Sequence, residues 1–222
     1  MTSVKLVCYS KATPEFEAEG LENLQDLIAF CAKVSNPTAQ INKETSERLI
    51  KYLIKHHHWS PLEMVNATLE IETTRDIAHQ IVRHRSFAFQ EFSQRYADPK
   101  EMGDMFILSE ARMQDTKNRQ NSIETEDEYI KERWEEEQLK VIMRAQTAYE
   151  WAINNGIAKE QARKVLPEGL TKSRLYMQGS IRSWIHYIEL RGANGTQKEH
   201  MEIAHACAKV IADIFPLANE MG

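Results

Sequence analysis

Along most of the chain, apolar residues recur three or four positions apart, the spacing that places them on one face of an α-helix. Between residues 20 and 34 this spacing predicts an amphipathic helix that ends at Asn36-Pro37. Pro61, Asn155-Gly156 and Pro216 close later stretches of the same kind. The further helices predicted in this way cover about 44–57, 74–84, 126–154, 158–164, 180–190 and 197–215.

Two stretches instead alternate apolar and polar residues, the period of a half-buried strand. The clearer one covers 65–72, and Val4–Tyr9 is a short β-prone segment. Residues 87–96 are rich in aromatic residues and are predicted to be extended, whereas the pattern of 170–178 leaves helix and strand open. Since strands and helices do not alternate regularly, we expect an α+β fold with a central, mainly antiparallel sheet packed with several helices, one of them long.

Local signals refine this outline. Pairs of Thr with an acidic residue three positions later predict capping boxes at Thr73/Asp76, Thr125/Glu128 and Thr196/Glu199. The segment 110–125 has few apolar residues and is predicted to be an exposed, mobile excursion. With no repeat or linker, residues 1–222 are expected to form a single domain. The long helix is expected to turn inward Trp134, Leu139, Ile142, Ala145, Tyr149 and Ala152.

Composition narrows the classes of function. The chain of 222 residues is 42% hydrophobic and 27% charged, with a net charge of −5, which argues against a general nucleic-acid or membrane-surface binder. Its 3 cysteines are far apart and odd in number, which favours a reducing, cytoplasmic setting. No apolar run is long enough to span a bilayer, and the first residues do not resemble a signal peptide.

The densest cluster of fixed positive charge lies in Gln80–Tyr96, where arginines stand next to Phe87, Phe89 and Phe92. Guanidinium groups can fork to a phosphate and stack on a ring, so the cluster indicates a planar, anionic ligand. A structural ion-pair network is the alternative. A protein that stacks single-stranded nucleic acid on arginine and phenylalanine is another, although the acidic total charge disfavours it.

Other chemistries have weaker support. His56, His57 and His58 are consecutive, and helical neighbours point about 100° apart, so they cannot all bind one metal ion, and we expect no metal site. Ser93 lacks a general base at a defined spacing, which favours a hydrogen-bonding role over a nucleophilic one. The chain has no glycine-rich phosphate loop, so side chains must hold any nucleotide.

Four spaced motifs together are similar to those of the flavin-dependent thymidylate synthases. Arg83-His84-Arg85 followed seven residues later by Ser93 resembles the RHR-x7-S signature of that family, and Gln80 precedes it as in the family. His58-x-Ser60-Pro61-x-Glu63 resembles its H-x-[ST]-P-x-E element. Arg163 before Leu166-Pro167 resembles R-x-x-L-P, and Ser180–Arg191 resembles the family's [NS]-x-R-S-x-x-[NH]-x-x-x-x-R helix.

The resemblance implies reductive methylation of dUMP to dTMP. In that family 5,10-methylenetetrahydrofolate supplies the carbon, NADPH reduces FAD, and tetrahydrofolate is released; the members are homotetramers whose sites are shared between subunits. No nucleic-acid or membrane partner is implied. A non-catalytic nucleotide- or flavin-binding regulatory protein of the same fold is the alternative.

The resemblance also assigns residues. Arg191 is the implied catalytic residue, at the uracil edge, where positive charge favours ionisation at N3. Met64, Gln94 and Ser180 depart from the common family pattern. The implied dUMP contacts are Gln80, Ile81, Val82, Arg83, Glu91, Phe92, Ser93, Gln94, Arg95, Arg163 and Arg191. The implied FAD contacts are His58, Ser60, Arg83, His84, Arg85, Glu91, Ser180, Ile181, Arg182 and His186.

Overall fold

The computed structural model describes residues 2–217 as helices packed on a central sheet. Short 3-10 turns at Pro37–Ala39, Ser60–Glu63, Pro99–Met102 and Arg163–Val165 connect some of the elements. In chain order the strands and helices are β1 (Ser3–Tyr9), α1 (Pro14–Ala18), α2 (Leu24–Ala32), α3 (Ser46–Lys55), β2 (Asn66–Thr74), α4 (Arg75–Ile81), β3 (Ala88–Glu91), β4 (Arg112–Gln114), β5 (Ser122–Glu124), α5 (Glu128–Asn154), α6 (Lys159–Ala162), β6 (Lys172–Ser180), α7 (Ile181–Gly192) and α8 (Lys198–Ile214).

The central sheet has the strand order β1-β2-β6-β3, and every neighbouring pair is antiparallel. Alternation along β2 and β6 divides it into two faces. Leu69, Ile71, Leu175 and Met177 are fully buried and join the core with residues of α2, α3, α4, α7 and α8. The α+β prediction, with an antiparallel sheet and one long helix, is confirmed.

The opposite face of the sheet is polar and cross-linked by charge. Glu70 accepts a 3.0 Å hydrogen bond from the Tyr176 hydroxyl, and Glu72 pairs with Lys172 at 2.9 Å and with Arg174. Since carboxylates and cations face each other across adjacent strands, this face is stable without a covering layer of helices. The alternating burial also settles the open segment 170–178 as a strand.

Segment 110–125 is largely exposed, as predicted, and contains the antiparallel ribbon β4–β5, which ion pairs of Lys198 with Glu110 and Glu124 tie to α8. Two predicted capping boxes are wrong. Asp127, not Thr125, caps α5 by accepting from the Ile130 amide at 3.2 Å. Helix α8 begins after Gln197 without a side-chain cap, so the Thr196/Glu199 box is absent.

Two further expectations need correction. The predicted box at Thr73/Asp76 is absent: the N-cap of α4 is Thr74, whose side chain accepts from no amide of the first turn and instead donates its hydroxyl to Asp76. On α5, Trp134 and Leu139 are 44% and 48% exposed rather than turned inward, while Ala145, Tyr149 and Ala152 are buried as expected. No helix among the described residues is long and apolar enough to cross a membrane.

Candidate active site

The signature stretch leaves α4 and becomes the edge strand β3, which pairs with β6 from Ala88 opposite Gln178 to Glu91 opposite Leu175. Phe87 and Phe89 pack against the main core, which explains the aromatic residues between the arginines. The predicted extended segment ends at Phe92, because the amides of Tyr96 and Ala97 both donate to the Ser93 carbonyl in a turn. The stretch is therefore a strand followed by a tight turn.

Gly179 lets this stretch lie close to β6. A Cβ atom at that position would stand 2.4 Å from the Phe87 ring, well inside contact distance. Phe87 has little room to move, since its ring meets that of Trp184 at 4.8 Å and that of Tyr187 at 5.9 Å between centroids. The absence of a side chain at 179 thus sets how closely the signature approaches the sheet.

A cavity of about 440 Å³ opens where β6 passes into α7. Ser180 caps α7 by accepting from the Ser183 amide at 3.2 Å, and the Ser183 hydroxyl donates to the Ser86 carbonyl. Arg182 forms an ion pair with Glu63. The cavity walls thus combine a helix N-terminus with hydroxyl, imidazole and guanidinium groups, and they include Glu63, Ser86, Ser180, Arg182, Ser183 and His186.

The H-x-S-P-x-E element lies beside this cavity. The Trp59 ring stands edge-on to His186, with 4.5 Å between centroids. His58 and Ser60 are exposed, and the His58 ring lies 6.0 Å from that of Tyr52. Because Glu63 reaches Arg182, the structure brings the first and last motifs of the chain to one place.

Arg191 and His84 make the second junction between motifs. Arg191 donates from Nε to His84 Nε2 at 2.9 Å. Nε2 must therefore carry a lone pair, so His84 is the neutral Nδ1–H tautomer. Burial, followed by the charge of Arg191, lowers the pKa of His84 from its ordinary value, which favours this neutral form.

Behind His84 lies a buried group that the sequence motifs do not include. The His200 ring contacts the Tyr187 hydroxyl at 3.1 Å and Gln80 Oε1 at 3.2 Å. Burial, with smaller effects from Arg191 and His84, lowers the pKa of His200 to about 4. His200 and Tyr187 were missed because the only sequence signal, a polar residue on the apolar side of a helix, is weak.

Glu91 is held on the opposite side of the signature. It accepts from the Ser173 hydroxyl at 2.8 Å, and Arg75 lies 3.5 Å away. Arg75 and Ser173 are also absent from the motifs. They orient the Glu91 carboxylate and supply part of its charge balance.

The turn after β3 holds the remaining predicted nucleotide contacts. Ser93 has no histidine partner among residues 2–217, so the structure provides no general base for a nucleophilic serine. Gln94 is 3% exposed, and its Nε2 has no hydrogen-bond partner. Arg95 lies 3.8 Å from Glu160, and Lys159 donates to the Tyr96 carbonyl.

Four arginines of the signature motifs have no acidic partner in the described part of the chain: Arg83, Arg85, Arg163 and Arg191, the last of which is bonded to His84. In a chain with 33 acidic residues, such arginines are available to an anionic ligand. Outside the motifs, Arg48, Arg119 and Arg144 also lack an acidic partner. The absence of a partner therefore indicates a ligand site only for the arginines that belong to the motifs.

Burial separates the predicted ligand contacts into two kinds. Ile81 and Ile181 are fully buried, so they can offer a ligand only backbone atoms. Val82 and Phe92 are half-buried beside the turn. The remaining predicted contacts have accessible polar groups, except for the buried amide of Gln94.

Comparison with known proteins agrees with this geometry. Residues 19–217 match the family described as thymidylate synthase complementing protein. The chain is 48% identical over 214 residues to the probable flavin-dependent thymidylate synthase of Paramecium bursaria Chlorella virus 1, covering 96% of this chain and 95% of that one. It is 46% identical over 213 residues to the flavin-dependent thymidylate synthase of Synechocystis, again with 96% and 95% covered.

The fold has a counterpart among solved structures. The UMP/dUMP methylase PolB from Streptomyces cacaoi, bound with 5-Br dUMP, superimposes with a TM-score of 0.80 at 22% identity, covering all of this chain and 94% of that one. At that identity the likeness concerns the fold. The match over residues 19–217 and the identity to full-length relatives place the chain, as a member, in the thymidylate synthase complementing protein family.

Proposed function

We propose that this protein is a flavin-dependent thymidylate synthase, a methyltransferase that converts dUMP to dTMP. The observation that carries the proposal is the Arg191–His84 hydrogen bond. It joins the RHR signature to the C-terminal motif helix, 107 positions apart in the chain. This bond brings the two motifs into one site, which neither motif could form without the other.

The cavity beside α7 has donors suited to FAD. Ser180, Arg182 and His186 converge there from one helix, and its N-terminus favours negative charge. The unpaired guanidinium groups of Arg83 and Arg85 suit a diphosphate. We expect His58, Ser60, His84, Glu91 and the backbone of Ile181 to complete the FAD site. FAD held by these residues and reduced by NADPH would supply the hydride for the reaction.

The turn after β3 provides for the nucleotide. We expect Ser93, Arg95 and Arg163 to hold the phosphate and sugar of dUMP. The surrounding contacts would come from the side chains of Gln80, Arg83 and Glu91 and from the backbone of Ile81, Val82 and Phe92. The partnerless amide of Gln94 supports this assignment, because a buried donor without an acceptor is costly unless a ligand satisfies it. An acceptor oxygen of the nucleotide would satisfy this donor.

Arg191 is the residue best placed to act on the base. Its Nε is used by His84, so both Nη groups remain free to donate to a planar acceptor. A guanidinium at the uracil edge favours the anion at N3 and thereby increases electron density at the ring carbon that receives the methylene group of 5,10-methylenetetrahydrofolate. His84 holds the guanidinium in place by accepting from it.

The assembly is proposed to be a homotetramer in the cytoplasm, with sites shared between subunits. Exposed apolar side chains on and beside α5, including Met143, Trp151, Ile157 and Val165, line a groove of about 970 Å³. A groove lined mainly by exposed apolar side chains suits an interface between copies of this chain. Light scattering should give four copies of the 25.7 kDa chain.

The function is tested by three measurements on the purified protein. We expect a flavin absorption spectrum, NADPH oxidation that responds to dUMP, and dTMP formed only when 5,10-methylenetetrahydrofolate is present. A protein that binds FAD and dUMP but forms no dTMP would be the non-catalytic regulatory alternative. A colourless protein that does not take up added FAD would contradict both.

A further inference from the structure

A line of five side chains runs from the surface into the core next to the proposed nucleotide site. Gln197 Nε2 lies 3.0 Å from Glu199 Oε2, and Gln80 Nε2 lies 2.8 Å from Gln197 Oε1. His200 Nδ1 then meets Gln80 Oε1 at 3.2 Å, and its Nε2 meets the Tyr187 hydroxyl at 3.1 Å. We call this line, from Glu199 to Tyr187, the His200 relay.

The direction of every bond in the His200 relay follows from its outer end. The Glu199 carboxylate, paired with Arg112, can only accept. Gln197 must therefore present its NH₂ group to Glu199 and its oxygen to Gln80. Gln80 in turn presents its NH₂ group to Gln197 and its oxygen to His200. His200 must then donate from Nδ1, which leaves Nε2 to accept from the Tyr187 hydroxyl.

Burial makes the inner end of the relay rigid. His200 has no exposed surface and Tyr187 is 1% exposed, so water cannot replace either partner. His200 Nδ1 is the buried donor that meets Gln80 Oε1. Without it, Gln80 Oε1 would have no donor, and only the exposed bond to Gln197 would orient the amide, whose two ends differ only in hydrogen bonding.

We propose that His200 is a positioning residue for nucleotide binding, which donates from Nδ1 to Gln80 Oε1 and so directs an N–H of the Gln80 amide to an acceptor oxygen of the nucleotide. The amide has two N–H groups, and Gln197 takes one of them, so the second is free for the ligand. This inference rests on the proposed function, since it takes Gln80 to be a dUMP contact.

The tautomer of His200 is measurable without any ligand. Histidine labelled with ¹⁵N in the full-length protein, with the His200 signals assigned by their loss in the His200→Asn variant, should show a protonated Nδ1 and an unprotonated Nε2 at neutral pH. The opposite tautomer would overturn the proposal, because Gln80 would then have to turn its oxygen towards Gln197 and the nucleotide.

Two substitutions separate the donor from the bulk of the ring. The side-chain nitrogen of His200→Asn can take the place of Nδ1, whereas that of His200→Gln takes the place of Nε2. We expect the dissociation constant for dUMP, measured by calorimetry on the flavin-loaded protein, to rise about tenfold in His200→Gln and to stay within about threefold in His200→Asn. The KM for dUMP should change in parallel while kcat changes less.

The matched control is His205→Gln, the same change at an exposed position of the same helix, which should leave dUMP binding unaltered. Equal losses in the two His200 variants, or no loss in either, would refute the positioning role. Flavin content and the thermal midpoint report on folding separately. If the wild-type protein itself fails to bind dUMP, it is the proposed function that fails, and the tautomer measurement still tests the orientation of Gln80.

Discussion

At the scale of single residues, Arg191 serves two partners with different atoms. Replacing Arg191 with Ala removes the guanidinium that the proposed mechanism places at the uracil edge, together with the bond to His84. We expect dTMP formation to be abolished while flavin stays bound. The expected FAD donors Ser180, Arg182 and His186 line the cavity at the other end of α7, and Arg191 is not among its lining residues. Product formation and the flavin spectrum check the two halves of this prediction.

The matched control for Arg191 is Arg119→Ala, which removes an exposed guanidinium from the β4–β5 ribbon. It should leave both readouts unchanged. Turnover of Arg191→Ala at the wild-type rate would remove Arg191 from its proposed role.

Ser93 offers a hydroxyl in a turn without a base beside it. Ser93→Ala should weaken dUMP binding about tenfold, the cost of one hydrogen bond to a charged group, and should retain part of the activity at saturating dUMP. Steady-state kinetics with dUMP as the varied substrate measures both effects. The exposed Ser122→Ala is the control. Complete loss of turnover with normal dUMP binding would instead support a nucleophilic serine.

Motif spacing identified the site residues that lie together on short segments of the sequence. Which of these segments contact each other could be seen only in the folded structure. His84 and Arg191 were both singled out from the sequence, but their hydrogen bond spans 107 positions. His200 and Arg75 were not singled out, because their importance comes from partners on other elements. A buried polar residue acquires its role from packing, which no local pattern records.

At the scale of elements, the start of α5 shows which of two nearby polar residues, Thr125 or Asp127, caps a helix. Asp127 accepts from the Ile130 amide, so Asp127→Ala should lower the free energy of unfolding by about 1 kcal/mol. Thr125→Ala, at the residue that the sequence pattern favoured, should cost less. Chemical denaturation of both variants decides the matter, and a larger loss for Thr125→Ala would contradict the assignment of the cap.

The periodicity of apolar residues located the helices and the central strands correctly. It was less successful in predicting which face of each helix is buried. Leu139 fits the apolar stripe of α5 yet is exposed, whereas its neighbour Gln138 is buried, so α5 turns a different face inward at this level than the stripe predicts. The β4–β5 ribbon places its two apolar residues, Met113 and Ile123, opposite each other, but both stay exposed, and ion pairs with Lys198 of α8, far away in the sequence, tie the ribbon to the rest of the fold. Ion pairs between residues so far apart cannot be predicted from the periodicity of the sequence.

At the scale of the whole molecule, His200 links stability to pH. Its pKa is about 4 in the folded protein against 6.5 for the free side chain, so the unfolded chain takes up a proton first as the pH falls. The stability is fully present above pH 6.5 and is lost as the pH falls from 6.5 to about 4. At 1.36 kcal/mol per pKa unit the loss is about 3 kcal/mol. His84 acts in the same direction.

Unfolding by urea at a series of pH values measures this effect. Carboxylates also titrate near the lower end of the range, so the His200→Asn variant is the reference, and its stability should depend less steeply on pH. Equal pH dependence in the variant and the wild type would show that His200 is not the group responsible. The Arg191→Ala variant should lose less stability over this pH range, because one cause of the depressed pKa of His200 is gone and its folded pKa lies closer to the unfolded value.

The close approach of Gly179 and Phe87 bears on how the sequence can vary. The requirement at 179 is for space, since even the smallest added carbon would meet the Phe87 ring at 2.4 Å. Gly179→Ala should therefore impair folding or flavin uptake, and Phe87→Leu in the same chain should restore part of what is lost, as a double-mutant cycle would reveal. A library randomised at position 179 alone should return glycine almost exclusively, whereas one randomised at 87 and 179 together should return new pairs in which the ring has shrunk. Position 179 is thus free to change only after the ring at position 87, far away in the sequence, has been replaced by a smaller side chain.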